Sequence, residues 1–349
     1  MIPTARSAPA PTSPLATLPG YDAGAPALAV DRLRVEFTAT RTRPRTTVVD
    51  GASYRVEPGE TLAVVGESGS GKSLTGRAAL GILPPGARAT GGSIRLHGVD
   101  LLTLDSRRLR SLRGRHLAMI FQDALAALNP VLPVGYQIIE ALVVHDRTGR
   151  REAARRAVEL LDQVHIPDPA LRMRHYPHQF SGGMRQRVMI AMALAHRPAV
   201  LIADEPTTAL DVTVQAHILE LLGEVQRIHR LGLVLVSHDL AVVARSADHV
   251  AVMYAGQIVE HAPADALYTR PAHPYSRALL DAVPRRGRRG QPLVALPGAP
   301  PDPAHPAPGC AFAPRCPLAQ PRCATPPPLH QVGPAHVSAC HRWDEVSAT

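Results

Sequence analysis

Gly66-Glu67-Ser68-Gly69-Ser70-Gly71-Lys72-Ser73 is a run whose residue types could hold a triphosphate. Glycines let the backbone curl around an anion with its N–H groups turned inward. A lysine ammonium can reach between the β- and γ-phosphates, and the closing serine hydroxyl can ligate Mg²⁺. Of the 38 lysines and arginines in the chain, Lys72 is the single lysine. A compact ammonium fits that slot where a planar guanidinium is too wide. Residues 66–74, Leu74 included, are the candidate phosphate contacts, and nucleoside triphosphate chemistry is the first expectation.

Two further runs extend that chemistry. Val200-Leu201-Ile202-Ala203-Asp204-Glu205 is an apolar stretch ending in two carboxylates. Asp204 is placed to hold a hydrated Mg²⁺, and Glu205, one residue on, can polarise a water in line with the terminal phosphate. Ser181-Gly182-Gly183-Met184 opens an apolar helical run and makes a second anion-binding N-terminus. One cradle per phosphate group suffices, so a second one predicts a nucleotide held by another subunit.

These residues need rigid elements beneath them. Thr61 to Val65 reads as a short strand and Ser73 to Leu83 as the helix after it, which is the strand–loop–helix order that a phosphate loop requires. Ala29–Phe37 and Val48–Val56 alternate like antiparallel strands, and Ser93 to Leu96 looks like another. The run Leu117 to Phe121 is a strand ending at Gln122. Val200–Ala203 and Leu233–Ser237 are continuous apolar runs, read as parallel strands buried on both faces. Arg150 to Val164 is a helix with Ala154, Val158, Leu161 and Val164 on one face. Residues 1–27, rich in Ala, Pro, Ser and Thr, read as a disordered tail without the pattern of a secretory signal.

The chain has 349 residues and a formal net charge of +9, with four Phe, seven Tyr and one Trp. So few aromatics disfavour a stacking platform for single-stranded nucleic acid. No run of 18 apolar residues spans a membrane. The four cysteines, Cys310, Cys316, Cys323 and Cys340, all fall in the last forty residues. That distribution predicts a reducing compartment with a local metal or cluster site rather than a disulfide framework; spacing alone permits zinc or iron–sulfur. The run Arg285-Arg286-Gly287-Arg288-Arg289 reads as a solvated linker, with anionic lipid as the alternative.

Taken together, residues 28–283 resemble the ATP-binding-cassette (ABC) ATPases. The resemblance implies an α/β P-loop NTPase fold with a RecA-like core, an antiparallel β subdomain and a helical subdomain at about 123–197. It implies that Lys72 and Ser73 lie in Walker A, and Asp204 and Glu205 in Walker B. Ser181, Gly182, Gly183 and Met184 would be the signature that faces a partner's ATP in trans. Gln122 would be the Q-loop glutamine at the Mg²⁺ site, Asp211 of Ala209-Leu210-Asp211 the D-loop aspartate, and His238 the switch histidine on the γ-phosphate. Lys72, Glu205 and His238 are the expected catalytic groups. The adenine-stacking aromatic is not evident: Phe37 is the nearest aromatic, but the spacing points to Arg43.

Tyr176-Pro177-His178-Gln179-Phe180, the run Met184 to Ala191, and Ala272-His273-Pro274-Tyr275-Ser276-Arg277-Ala278-Leu279-Leu280 are similar to the oligopeptide/dipeptide importer subfamily, in its D-type subunit. That likeness implies an ATPase at the cytoplasmic face of the membrane. Its partners would be a second, F-type ATPase, two permease chains and an extracytoplasmic binding protein, with no nucleic acid. Residues 123–137 fall where such proteins touch the permease. Residues 284–349 resemble the subfamily's C-terminal region, which in some members carries a [4Fe-4S] cluster on four cysteines. The alternative substrates are nickel or other solutes. The alternative of another class is a soluble ABC ATPase acting on nucleic acid, but the coiled-coil insertion or second cassette usual there is missing from the sequence.

Overall fold

The computed structural model describes residues 13–41, 44–145, 148–208, 210–243, 246–283, 296–306 and 308–348. Among the described residues twelve strands form two sheets. Strands β1 (Leu28–Phe37), β2 (Thr46–Val56), β4 (Ala87–Leu96) and β5 (Val99–Asp100) make an antiparallel sheet in the order β2-β1-β4-β5. The second sheet has the order β11-β12-β10-β9-β3-β8-β7-β6. Its parallel core consists of β3 (Thr61–Val65), β6 (Leu117–Ile120), β7 (Val200–Asp204), β8 (Gly232–Ser237) and β9 (His249–Tyr254). Strands β10 (Gln257–Pro263), β11 (His330–Gly333) and β12 (His336–Ser338) extend it antiparallel.

All five residues of β3 and all five of β7 are buried. Strands buried on both faces have no need to alternate, which is why these runs are apolar throughout. One core cluster packs between the sheets around Leu62, Ile94 and Ile202, and the other joins the parallel sheet to the helical segment around Ile138, Leu161 and Ile190.

The helical segment contains Ala124–Ala127, Val134–Val143, Arg150–Gln163, Pro169–Arg172 and Gly182–Ala193. In the helix Arg150–Gln163 the fully buried residues are Ala153, Ala157 and Leu161, whereas Ala154 and Val158 are only half-buried. Leu161 and Val164 of the expected face are fully buried, while Ala153 and Ala157 take the places expected of Ala154 and Val158.

Residues 1–12, Arg43 and the basic run at 285–289 lie outside the described residues. The disordered tail expected to reach residue 27 is corrected from residue 13 onward. Leu15 is buried, Ala27 is fully buried, and Ser13 Oγ lies 3.0 Å from His116 Nε2. Two apolar side chains thus anchor a segment whose composition reads as disordered. The last forty residues also pack on the main body. Phe312 is buried against Tyr254 and Tyr275, and β12 pairs with β10. Among the described residues no helix is long and apolar enough to cross a membrane.

Candidate active site

Strands β6, β7, β8 and β3 run parallel side by side, so their carboxyl ends share one rim. Open parallel sheets gather ligands at that rim. Four loops leave it: residues 66–71 after β3, Gln122 just after β6, Asp204 and Glu205 at the end of β7, and His238 after β8.

The first loop needs glycine for a stated reason. Gly66 has φ +156°, and a Cβ there would sit 2.1 Å from the Met253 carbonyl oxygen. The loop enters the helix Lys72–Leu80 through Gly71. Lys72 is 4% exposed, and its Nζ donates to the carbonyls of Gly66 at 2.7 Å and Glu67 at 2.8 Å. Burial lowers the ammonium's pKa, opposed by Glu205, Asp204 and Glu67. Lysine is thus folded back on its own loop and held there by two carbonyls.

Ser73 Oγ donates to Asp204 Oδ1 at 2.7 Å. Asp204 is 1% exposed and burial pushes its carboxyl pKa up. Its Oδ2 is buried without a hydrogen-bond partner, and Arg77 reaches it only at 4.0 Å. A buried carboxylate oxygen lacking a donor, beside a serine hydroxyl, is the hard-oxygen chemistry that suits Mg²⁺. These residues fit the ion.

Glu205 adopts φ +46°, a left-handed conformation uncommon for a residue with a side chain. Its N–H donates to the Val236 carbonyl at 2.9 Å, which fixes the turn. Its Oε2 accepts from Gln122 Nε2 at 2.9 Å and from Thr208 Oγ1 at 2.9 Å, and lies 3.2 Å from His238 Nδ1. These groups border one cavity of about 660 Å³, lined by residues 67–69 and 71–74 with Val48, Gln122, Glu205, Thr208, His238 and Leu279.

Most of the expected site is therefore brought together. Gly66 and Ser70 shape the loop without lining the cavity, and Asp204 lies beneath Ser73. Ser181 to Met184 do not line it. Ser181 caps the helix Gly182–Ala193 by accepting from Met184 N–H at 3.3 Å, and that helix start packs on the helix Val212–His229. Asp211 caps the latter helix, accepting from Val214 N–H at 2.9 Å. Phe37 ends β1 opposite Thr46 and Ala87 and does not line the cavity either. Val48, Arg77, Thr208 and Leu279 escape a sequence reading. Thr208 had a usable signal, a hydroxyl three residues after Glu205; the others arrive only by tertiary packing.

In the tail, all four cysteines are free and half-buried, and they line one small enclosed space of about 20 Å³ with Phe312, His273 and Arg342. Burial raises the thiol pKa of Cys310 and Cys316, and pushes that of Cys340 up to about 11. Four soft donors converging on one space suit a thiophilic metal group in chemistry. The atoms are not yet at bonding geometry: among the described residues no set of three or more His, Cys, Asp or Glu could hold an ion as it stands. The space has room for about one water, so a cluster would require the thiols to move apart.

Comparison with known proteins places the chain among related sequences and folds. Residues 49–208 match the ABC transporter family model, and residues 259–323 match the model for the oligopeptide/dipeptide transporter C-terminal region. The dipeptide transport ATP-binding protein DppD of Escherichia coli is 48% identical over 315 residues, covering 90% of this chain and 96% of that protein. A Brucella abortus protein provisionally named a peptide import ATP-binding protein is 48% identical over 316 residues, covering 90% of this chain and 95% of its own length. A dimeric ATP-binding cassette solved in a post-hydrolysis state with ADP and Pi shares the fold, with a TM-score of 0.61 and 24% identity, over 68% of this chain and 98% of that one.

Proposed function

Because the chain belongs to the ABC transporter family, within its oligopeptide/dipeptide branch, we propose that it hydrolyses ATP to drive import of peptides through a membrane transporter. The observation that carries the ATPase reading is the shared rim, where Lys72, Ser73, Gln122, Asp204, Glu205 and His238 come from four adjacent parallel strands. In this reading ATP enters the cavity above residues 66–74, where Ser73, Asp204 and Gln122 would hold Mg²⁺, which would supply positive charge to the phosphates. Lys72 offsets charge on the phosphates. Glu205 orients the attacking water and His238 steadies the terminal phosphate.

The helix start at Ser181, Gly182, Gly183 and Met184 stands apart from that cavity, so it serves a second ATPase subunit closing face to face, with Asp211 at the same seam. That second subunit is an F-type relative, and two permeases and an extracytoplasmic binding protein complete the assembly at the cytoplasmic face of the membrane. Residues 28–283 form the ATPase domain and residues 284–349 the C-terminal region.

For the tail we propose a structural [4Fe-4S] cluster on Cys310, Cys316, Cys323 and Cys340, with zinc as the alternative ion. Bound there, either group would pin a proline-rich segment that has little core of its own. Metal analysis of an anaerobic preparation tests it: iron and sulfide in a brown protein support the cluster, and a colourless protein holding only zinc overturns it.

The transport reading is tested in proteoliposomes containing this chain, its partner ATPase, the permeases and the binding protein. ATP-dependent uptake of labelled di- or oligopeptides supports it. Uptake of nickel without peptide would move the substrate to the alternative class. Hydrolysis stimulated by nucleic acid rather than by the permeases would overturn the transport role.

A further inference from the structure

The side chain of Arg315 carries the cysteine-bearing end of the chain to the phosphate loop. Arg315, with 5% of its side chain exposed, sends Nη1 to Glu67 Oε2 at 2.7 Å and Nη2 to Glu67 Oε1 at 2.9 Å. Two parallel bonds from a planar fork make this the strong form of a charged hydrogen bond. The guanidinium is held on other sides as well. Its Nε donates to the Pro297 carbonyl at 2.8 Å, Nη1 lies 3.3 Å from Tyr254 Oη, and its centre stands 5.8 Å from the Tyr254 ring and 6.0 Å from the Phe312 ring. Glu67, next to the loop's first glycine, is gripped at its backbone too, donating its N–H to Tyr275 Oη at 2.8 Å. Tyr275 in turn packs on Tyr254 and Phe312, with ring centroids 4.6 and 5.4 Å away.

Two consequences follow from charge and placement. Glu67 lines the nucleotide cavity and its carbonyl holds Lys72 Nζ, so an unpaired carboxylate there would repel a triphosphate and compete for the ammonium. Arg315 cancels that charge and turns the carboxylate toward the tail. In sequence Arg315 falls between Cys310 and Cys316, and Phe312, whose ring it approaches, lines the thiol space. The seating of the four-cysteine segment and the electrostatics of the phosphate loop therefore share one guanidinium.

We propose that Arg315 is a positioning residue for ATP binding, which neutralises Glu67 only while the cysteine-bearing segment is docked and so makes nucleotide affinity conditional on that segment. The proposal rests on the ATPase reading and adds a tail-supplied contact to it.

The test uses the full chain and measures the dissociation constant of Mg²⁺ with a non-hydrolysable ATP analogue, alongside kcat and KM of the assembled transporter. Arg315→Gln should weaken binding about tenfold by leaving Glu67 unpaired, raising KM while kcat at saturating ATP stays within about twofold. Adding Glu67→Gln to that variant should restore affinity to within about threefold of the unaltered chain, because the stranded charge is gone. A residue that merely helped the tail fold would show no such rescue. Arg315→Lys keeps a buried cation but loses the fork; it should weaken binding about threefold and serves if the glutamine variant fails to fold. Cys316→Ser should weaken binding in the unaltered chain and add nothing in the Arg315→Gln background. Equal affinity in all variants, or a double variant no better than Arg315→Gln, overturns the proposal alone. No binding by the unaltered chain overturns the nucleotide site and this proposal together.

Discussion

Gln122 Nε2 lies 2.9 Å from Glu205 Oε2, although 83 residues separate the two. The contact arises because β6 and β7 are neighbours in parallel register, Ile120 facing Ala203, so whatever follows each strand meets at the same level. Thr208 and His238 approach the same carboxylate oxygen. With three polar groups on one oxygen, Glu205 is oriented before any substrate arrives, and its left-handed backbone is held by the Val236 carbonyl. A carboxylate fixed in this way is suited to polarising a water.

Glu205→Gln keeps the shape and most of the contacts but removes the base. Nucleotide binding should persist while turnover falls on the order of a hundredfold or more. Phosphate release and ATP-dependent assembly of the two ATPase subunits, followed by size-exclusion chromatography, measure both; turnover near that of the unaltered chain would remove Glu205 from the water-activating role.

Asp204 sets stability against ion binding. Burial raises its carboxyl pKa, so the folded chain binds its proton more tightly than the unfolded chain does, and the carboxylate costs stability as pH rises above its ordinary range. Asp204→Asn removes that cost and can still accept from Ser73. Without metal it should melt at a higher temperature than the unaltered chain, and the further stabilisation by Mg²⁺ and nucleotide should vanish. Thermal melts with and without Mg²⁺–ATP decide the point.

Gly66→Ala introduces a Cβ 2.1 Å from a backbone oxygen that has no flexible end to yield. The loop or β9 must shift. The expected cost is about 3 kcal/mol or more, with nucleotide affinity lost before the fold itself. Denaturant unfolding and nucleotide titration should show both; unchanged affinity would mean that the loop tolerates a different backbone path.

His273 is fully buried, caps the helix Pro274–Asp281 by accepting from Tyr275 N–H, and has its pKa lowered by burial to about 3. Because the unfolded chain binds this proton more readily, His273 contributes stability above its ordinary pKa of 6.5, and that contribution is lost as pH falls from there toward 3. At pH 5 the loss is about 2 kcal/mol. His116 and His261, each lowered to about 4 by burial, lose stability over the upper part of the same window. His273→Asn preserves the cap without titrating, so the difference in urea midpoint between pH 7 and pH 5 should shrink without disappearing.

The parts of this site that lie in contiguous motifs were legible in the sequence. The phosphate loop, the two carboxylates after β7 and the histidine after β8 each combine an apolar strand with a polar stop, and such a pattern is local. Their convergence follows from parallel strand order alone. The parts that were not legible depend on packing at long range. Val48 and Leu279 reach the cavity from β2 and from the helix Pro274–Asp281, and the patterns around them mark a strand and a family likeness but no place in a nucleotide cavity. Strands β11 and β12 are short and mixed in polarity, so their alternation is too brief to register. Arg315 and Glu67 are 248 residues apart, and an arginine among prolines reads as solvated until the tail is seen to dock.

The pairing of β12 with β10 has a practical result for anyone handling the protein. Its proline-rich end looks like a natural place to shorten the chain for expression. Cutting there would remove the strand that pairs with Glu260 and His261, and leave that stretch of backbone bare at the border of the large sheet. Such a border invites another molecule to dock strand to strand, so shortened versions should clump where the full-length chain stays dispersed.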